Sequence, residues 1–287
     1  SYLKYVEKLN YAKKVLYFHN DPLEMNGSKL VEDRIYLIKN LDKIIFNSDW
    51  SKKRFIKDLD YINTKSPKLT VIKQSIDTKK VNLNSKKKII TFVGKLNSAK
   101  GYDIFGNSVI PILNKYKDWS SIVVGDEPRE KILFSHPRLI NLGFQNHENV
   151  LKILEKSSIA VVCSRWNEPF GRTSLEAASR GCAVIISNRG GLKETITDGI
   201  VINDVNSNNF KKNINKLILN ENLMKKFQIN SLKNFYLTNE LASNKIDSYR
   251  NDLLKFNIIK SKTYKIKILH ITNFNERHNG RLFYNTG

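Results

Sequence analysis

Residues 159–187 read IAVVCSRWNEPFGRTSLEAASRGCAVIIS. Two apolar runs, Ile159–Cys163 and Ala183–Ser187, bracket a polar loop and a stretch with helical spacing, Arg172–Arg180. Short runs rich in Val and Ile read as buried strands. A strand–loop–helix–strand unit of this length pairs its strands in parallel, because the helix carries the chain back across the sheet. The same alternation extends outward. Strands are predicted at Ile89–Val93, Ser121–Val124 and Leu139–Leu142 before the quoted stretch, with a short one near Ile200–Ile202 after it. Helices are predicted at Tyr102–Lys115, His147–Lys156 and Leu192–Thr195. The fold class is therefore α/β, with a parallel sheet covered on both faces and ligand sites at the C-terminal ends of its strands.

The preceding residues resemble the later part of another α/β domain. Lys14–His19 and Lys43–Asn47 read as strands, with a Pro- and Gly-containing loop, Asn20–Ser28, after the first. Lys29–Asn40 has helical spacing, with Leu30, Arg34 and Leu37 on one face. Ser48 is placed to cap a helix running to about Leu59, whose buried side takes Trp50, Phe55 and Leu59. Residues 62–88 read as a linker with one short strand near Leu69–Lys73, and residues 207–256 read as helices. Tyr264–Ile271 is a fresh apolar strand followed by a polar loop. The expected organisation is thus 1–80, the C-terminal part of one Rossmann-like domain; 86–222, a ligand-binding Rossmann-like domain; 223–256, closing helices; and 262–287, the first strand and loop of a further domain. With Ser1 in place of a Met and no visible leader, the chain reads as a piece of a longer protein at both ends.

Composition narrows the function classes. The 287 residues are 40% hydrophobic, enough for one large core or two ordinary ones. No apolar run reaches the roughly 18 residues of a membrane span. Cys163 and Cys182 sit in apolar runs, which suits small buried side chains in a reducing compartment rather than a disulfide framework. The net charge of +22 would attract polyanions. Lys, Asn, Ile and Tyr are abundant together, as in an AT-rich coding sequence, and the lysines are scattered. Solvated lysines are the plain account of the charge, and contact with an anionic membrane surface is the next. No nucleic acid is expected, since the basic residues do not cluster with stacking aromatics. Asp58–Asp60 (DLD) imitates a metal-binding D-x-D but falls at a helix end. Neither the cysteines nor the five histidines show metal-ligand spacing, so no metal is expected.

The chemistry concentrates in Ser164–Gly181. Gly171 opens the helix there, and free N–H groups at a helix start suit a phosphate or sugar hydroxyls. Glu168 in the loop and Glu176 in the helix are each able to accept hydrogen bonds from neighbouring hydroxyls, as on a hexose or a ribose. As an isolated pair they would read as a loop acid and an exposed helix residue, with Leu175 and Ala177–Ala178 doing the packing. The EPFG context and the following Gly-rich loop favour the binding site. The stretch Gly94–Gly101 (GKLNSAKG) follows a strand and carries Lys95 and Lys100 between glycines.

These stretches resemble the E-x7-E signature and the G-R-L…K-G loop of glycosyltransferase family 4, in the GT-B fold group. The resemblance runs through residues 1–256 and implies two Rossmann-like domains with parallel sheets, the N-terminal one incomplete. It implies that Glu168 contacts the transferred sugar, that Glu176 contacts the nucleotide ribose, and that Phe170 and Gly171 lie against sugar and phosphates with Arg172 and Thr173. Lys95 and Lys100 would clamp the diphosphate, Lys95 standing where Arg is usual and so losing the bidentate fork. Gly94 belongs to the same loop. Gly143 and Phe144 match the segment flanking the base, and Gly125–Pro128 (GDEP) matches G-D-G-P with Glu127 in place of Gly. Gly190–Gly191 with Glu194 matches G-G-x-x-E, as a plain helix start or as a neighbour of the donor. His19 resembles the histidine that faces the donor from the N-terminal domain. Tyr264–Gly287 resembles the start of a second such transferase.

The resemblance thus implies a retaining, metal-independent hexosyltransferase. It would use a nucleotide-diphosphate sugar as substrate, no cofactor, and a glycan or lipid-linked acceptor. The setting would be cytoplasmic polysaccharide biosynthesis, with peripheral contact at the inner membrane face. A non-catalytic nucleotide-sugar-binding or scaffold module is the alternative, and a polyanion-binding basic protein is a further one.

Overall fold

The computed structural model describes residues 13–59 and 66–255. Asp60 and the strand and loop expected over 262–287 lie outside the described residues. The chain divides into two compact units, one running to Gln74 and resuming at Asn239, the other running from Ser75 to Thr238.

The first unit holds a three-stranded parallel sheet of β1 (Val15–Phe18), β2 (Lys43–Phe46) and β3 (Leu69–Val71), in that order. Helix α1 (Val31–Asn40) lies between β1 and β2 in the chain, and α2 (Asp49–Ile56) follows β2. Leu16, Phe18, Leu37, Ile44, Phe46, Phe55 and Leu59 form its core. Ser48 caps α2 as expected, accepting a hydrogen bond from Ser51 N at 2.9 Å. One reading changes. Leu30 is 59% exposed, because α1 starts one residue after it. Arg34, expected on the same face, is inside, where Nη1 donates to Phe55 O and Lys57 O, carbonyls at the end of α2. The short strand expected near Leu69–Lys73 forms as β3, which pairs with β2 from Ile44–Leu69 to Phe46–Val71.

The second unit is a six-stranded sheet, parallel throughout. Its strands are β4 (Lys87–Val93), β5 (Ser120–Val124), β6 (Leu139–Asn141), β7 (Ser157–Val162), β8 (Ala183–Ser187) and β9 (Ile200–Ile202), in the spatial order β6-β5-β4-β7-β8-β9. Helices α3 (Tyr102–Lys115), α4 (His147–Lys156), α5 (Arg172–Ser179), α6 (Ser207–Leu219) and α7 (Glu221–Lys233) complete the unit. Strand side chains alternate between two cores. Ile159, Val161, Cys163, Ala183 and Ile185 join α3 and α6 on one face. Ala160, Val184, Ile186 and Cys182 join α4 and α5 on the other. Each fully buried Ile, Val or Phe contributes about 1.5–3 kcal/mol. Both cysteines are buried free thiols, and desolvation pushes their pKa values up.

The segment expected as closing helices, 223–256, is divided between the two units. Helix α7 stays in the second unit, burying Met224, Gln228 and Ser231. Helix α8 (Asn239–Lys255) belongs to the first, where the Tyr249 hydroxyl meets Thr70 Oγ1 at 2.7 Å and the Tyr249 ring lies under Lys43 Nζ. The expected helix Leu192–Thr195 is a single 3-10 turn. No helix among the described residues is long and apolar enough to cross a membrane.

The order of the strands reverses between β4 and β7. From β4 the chain steps outward to β5 and β6, then returns past β4 to β7 and steps the other way. Such a reversal sets the loops after β4 and β7 side by side at the C-terminal edge, where open α/β sheets place their ligand sites. The opposite edge is clamped by a buried amine. Lys86 Nζ donates to Leu154 O, Ser157 O and Arg180 O at 3.0, 2.8 and 2.7 Å, tying the entry of β4 to the ends of α4 and α5. Replacing it (Lys86→Met) leaves those carbonyls without that donor. The variant is expected to lose about 2–3 kcal/mol of unfolding free energy, read from urea denaturation. An unchanged midpoint would refute the clamp.

Candidate functional site

At the C-terminal edge of the sheet two loops grip each other. The loop after β4 (residues 94–101) and the loop after β7 (residues 163–171) meet at the carbonyl of Ala99. It accepts from Arg165 N at 2.9 Å, Trp166 N at 3.1 Å and Ser164 Oγ at 3.2 Å. Arg165 braces the junction through both carboxylate oxygens of Asp103. Gly101, at φ 73°, allows the contact, because a Cβ there would stand 2.0 Å from Cys163 O. A third loop, after β8, holds Glu168 from behind: Gly191 N donates to Glu168 O at 2.7 Å. Any side chain at Gly190 would strike the same carbonyl at 2.1 Å. Gly191 stands at the start of the 3-10 turn Leu192–Thr195, and the Gly190–Gly191 pair adds backbone support for Glu168 that neither sequence reading contained.

Lys100 and Glu168 are brought together. Lys100 Nζ lies 2.6 Å from Glu168 Oε1, which also accepts from Ser164 Oγ at 2.9 Å. Glu168 is 4% exposed. Lys95 stands in the same loop, exposed, with no carboxylate pairing it among the described residues. Gly94 is anchored to the end of β5 by its N–H to Val124 O. Glu127 joins this cluster through Asn97 Nδ2 at 3.1 Å, and the Arg129 guanidinium beside it holds its carboxyl at about 2.

Helix α5 begins at Gly171, which has φ 112° and gives no side-chain cap. The first N–H groups of α5, from Arg172 and Thr173 on, have no acceptor within the helix. Phe170 enters as backbone only, its ring being 1% exposed and packed with Ile76, Leu175 and Leu237.

Glu176, one turn further, is buried. Its Oε1 faces His147 Nε2 at 3.1 Å and Arg172 Nε at 3.4 Å. Burial pushes its carboxyl above the usual range, against the pull of Arg172 and His147. The reading of Glu176 as an exposed helix residue fails because α5 is covered by α4 as well as by the sheet. His147 had no signature in the sequence, being a lone histidine at a helix start. The segment before it carries Gly143, whose carbonyl accepts from Gly125 N, and Phe144, which is 67% exposed.

His19 belongs to the first unit, where its Nδ1 meets Gln74 Nε2 at 3.2 Å and its ring lies 4.3 Å from that of Tyr17. Asp58 sits past the end of α2 at φ 62°. Among the described residues no three His, Cys, Asp or Glu gather as a metal site.

The family model described as glycosyl transferases group 1 matches residues 73–234, more than half of the chain. YtcC of Bacillus subtilis (strain 168) is 27% identical over 164 residues, covering 51% of this chain and 40% of its own. The lipopolysaccharide core biosynthesis mannosyltransferase LpsB of Rhizobium meliloti (strain 1021) is 28% identical over 187 residues, covering 57% of this chain and 50% of its own. The chain thus spans half or less of the length of these relatives. Among solved structures, Anabaena Alr3699/HepE in complex with UDP superposes with a TM-score of 0.68 at 17% identity, over 83% of this chain and 72% of the other. The fold is accordingly α/β of the GT-B type, with parallel sheets.

The raised pKa of Glu176 has a definite sign. A carboxyl that holds its proton more tightly when folded makes the native state less stable as pH rises above the unfolded-state value. Between pH 4 and pH 7.5 the protein is expected to lose melting temperature relative to Glu176→Gln. Parallel pH profiles for the two would contradict this account.

Proposed function

Because the chain belongs to the glycosyl transferases group 1, we propose that it forms the donor-binding part of a retaining hexosyltransferase. The donor is a nucleotide-diphosphate sugar and the acceptor a glycan or lipid-linked hydroxyl. The observation that carries this reading is the Lys100–Glu168 contact at 2.6 Å, set beside the uncapped start of α5 and one turn from Glu176. The loops and helix at the strand-order reversal carry a cation, the uncapped start of a helix and two buried acids. That set complements a pyrophosphate flanked by two polyhydroxylated rings.

In the proposed reaction the bond from the sugar's anomeric carbon to the diphosphate oxygen breaks, and the acceptor oxygen bonds to that carbon on the same face. The acceptor proton passes to the departing phosphate, so no protein nucleophile is required. Negative charge grows on the leaving diphosphate. Lys95, Lys100 and the N–H groups of Arg172 and Thr173 stabilise it in place, without a metal. Glu168 accepts hydrogen bonds from the sugar, Glu176 from the ribose, and Gly94, Gly143 and Phe144 border the nucleotide. UDP in HepE and the mannosyltransferase name of LpsB support a nucleotide-sugar donor and a role in polysaccharide assembly. The net charge of +22 supports peripheral contact with anionic lipid on the cytoplasmic side.

A thermal-shift screen of UDP-, GDP- and ADP-sugars is expected to show stabilisation by one of the three, since ligands that bind only the folded state raise its melting temperature. In the complete protein, Lys100→Ala should lower kcat by about 10²–10³. Stabilisation without turnover would favour the non-catalytic binding module instead. No stabilisation by any donor, or a Lys100→Ala variant with full activity, would end the proposal.

A further inference from the structure

The carboxylate of Glu176 is oriented by one hydrogen bond, and that bond comes from a residue outside every motif. A buried carboxylate must have its charge compensated. Two groups do so, and both fall on the same oxygen. Arg172 Nε lies 3.4 Å from Oε1 and makes no hydrogen bond in the structure. The His147 Nε2–H donates to Oε1 at 3.1 Å. No hydrogen bond from the described residues reaches Oε2. Glu168 shows the same division: Lys100 and Ser164 both occupy its Oε1.

His147 is held by the framework rather than by its own packing. Asn146 caps α4, its Oδ1 accepting from Asn149 N at 2.9 Å, which fixes the first turn. Val150 and Leu154 of α4 pack in one core with Ala177 and Ala178 of α5. The imidazole itself remains 53% exposed. A side chain that contributes little burial yet supplies the single oriented contact to a buried acid acts through that acid.

We propose that His147 is a positioning residue that makes this site selective for a ribonucleotide over a deoxyribonucleotide donor. By occupying Oε1 it presents Oε2 to the vicinal 2′- and 3′-hydroxyls of the nucleoside. This rests on the reading of Glu176 as part of the donor site. A diol satisfies the free oxygen with two donors. Removing the 2′-hydroxyl leaves a buried acceptor short of a partner, and sites built to bind a hydroxyl reject analogues lacking it. Without His147 the carboxylate keeps only the Arg172 Nε contact at 3.4 Å, which is not a hydrogen bond, so its orientation loosens and the penalty for the missing hydroxyl relaxes.

The test is calorimetric binding of UDP, GDP and ADP, each with its 2′-deoxy counterpart, to the full chain and to His147→Ala, His147→Phe and His147→Gln. For whichever diphosphate binds, the parent protein should prefer the ribo form by about tenfold or more. His147→Ala and His147→Phe should bind the two forms within about twofold, and either variant that keeps the parent melting temperature decides the matter. His147→Gln, whose amide N–H can reach the same oxygen, should restore most of the preference. A preference retained in the Ala or Phe variant overturns the proposal and leaves the donor site standing. Absence of binding by all three diphosphates to the parent protein overturns the donor reading and this inference with it.

Discussion

Two loops leave neighbouring parallel strands on either side of the reversal in strand order, and everything at the candidate site depends on their being locked to each other. The lock is a backbone matter. One carbonyl, that of Ala99, takes three hydrogen bonds from the opposing loop, and a glycine at position 101 lets the chains approach closely enough for this to happen. Once the backbones are joined, Lys100 and Glu168 have no choice but to meet. The third loop, through Gly190 and Gly191, closes on Glu168 from the far side. The site is rigid because its walls are strand ends and main-chain hydrogen bonds, not long side chains.

That rigidity sets up the electrostatics. Buried charges are only partly screened, so each buried acid needs a fixed partner. Both acids are satisfied on one oxygen. The arrangement holds the carboxylates in place while leaving the second oxygen of each without a hydrogen bond from the described residues, which would suit the hydroxyl-rich donor proposed above at low reorganisation cost. Lys95 and the start of α5 are the complementary, positive half. Stability is sacrificed locally: the Glu176 carboxyl is pushed above its ordinary range by burial.

Much of this could be read from residue order. The alternation of Val- and Ile-rich runs with helical stretches specifies parallel strands, because only a crossover helix can return the chain to the same edge. Glu168 and Glu176 were singled out by the EPFG context, the following Gly-rich loop and the resemblance to the E-x7-E signature; as an isolated pair they read as a loop acid and an exposed helix acid. Ser48 announced its cap. Other features had no local signal. Lys86 and Arg180 are cations in a chain full of solvated ones, and nothing nearby marks them as held inside, while helical spacing put Arg34 on a face with Leu37 but gave no partner for its charge. Arg34 and Lys86 are inside because helix ends from distant parts of the chain aim carbonyls at them.

Local sequence therefore determined what each segment becomes: period-two and helical patterns, caps and turn glycines depend on neighbours within a few residues. It also determined which residue types stand at the strand ends. Only the tertiary structure decided which of them meet. His147 becomes the partner of Glu176 because α4 docks on α5, 29 residues away. Gly190 becomes a support for Glu168 because β8 lies beside β7. Helix α8 joins the first unit because Tyr249 finds Thr70 and Lys43 there. Such contacts arise from the packing of whole elements, whose energy is spread over many side chains and written in no single one of them.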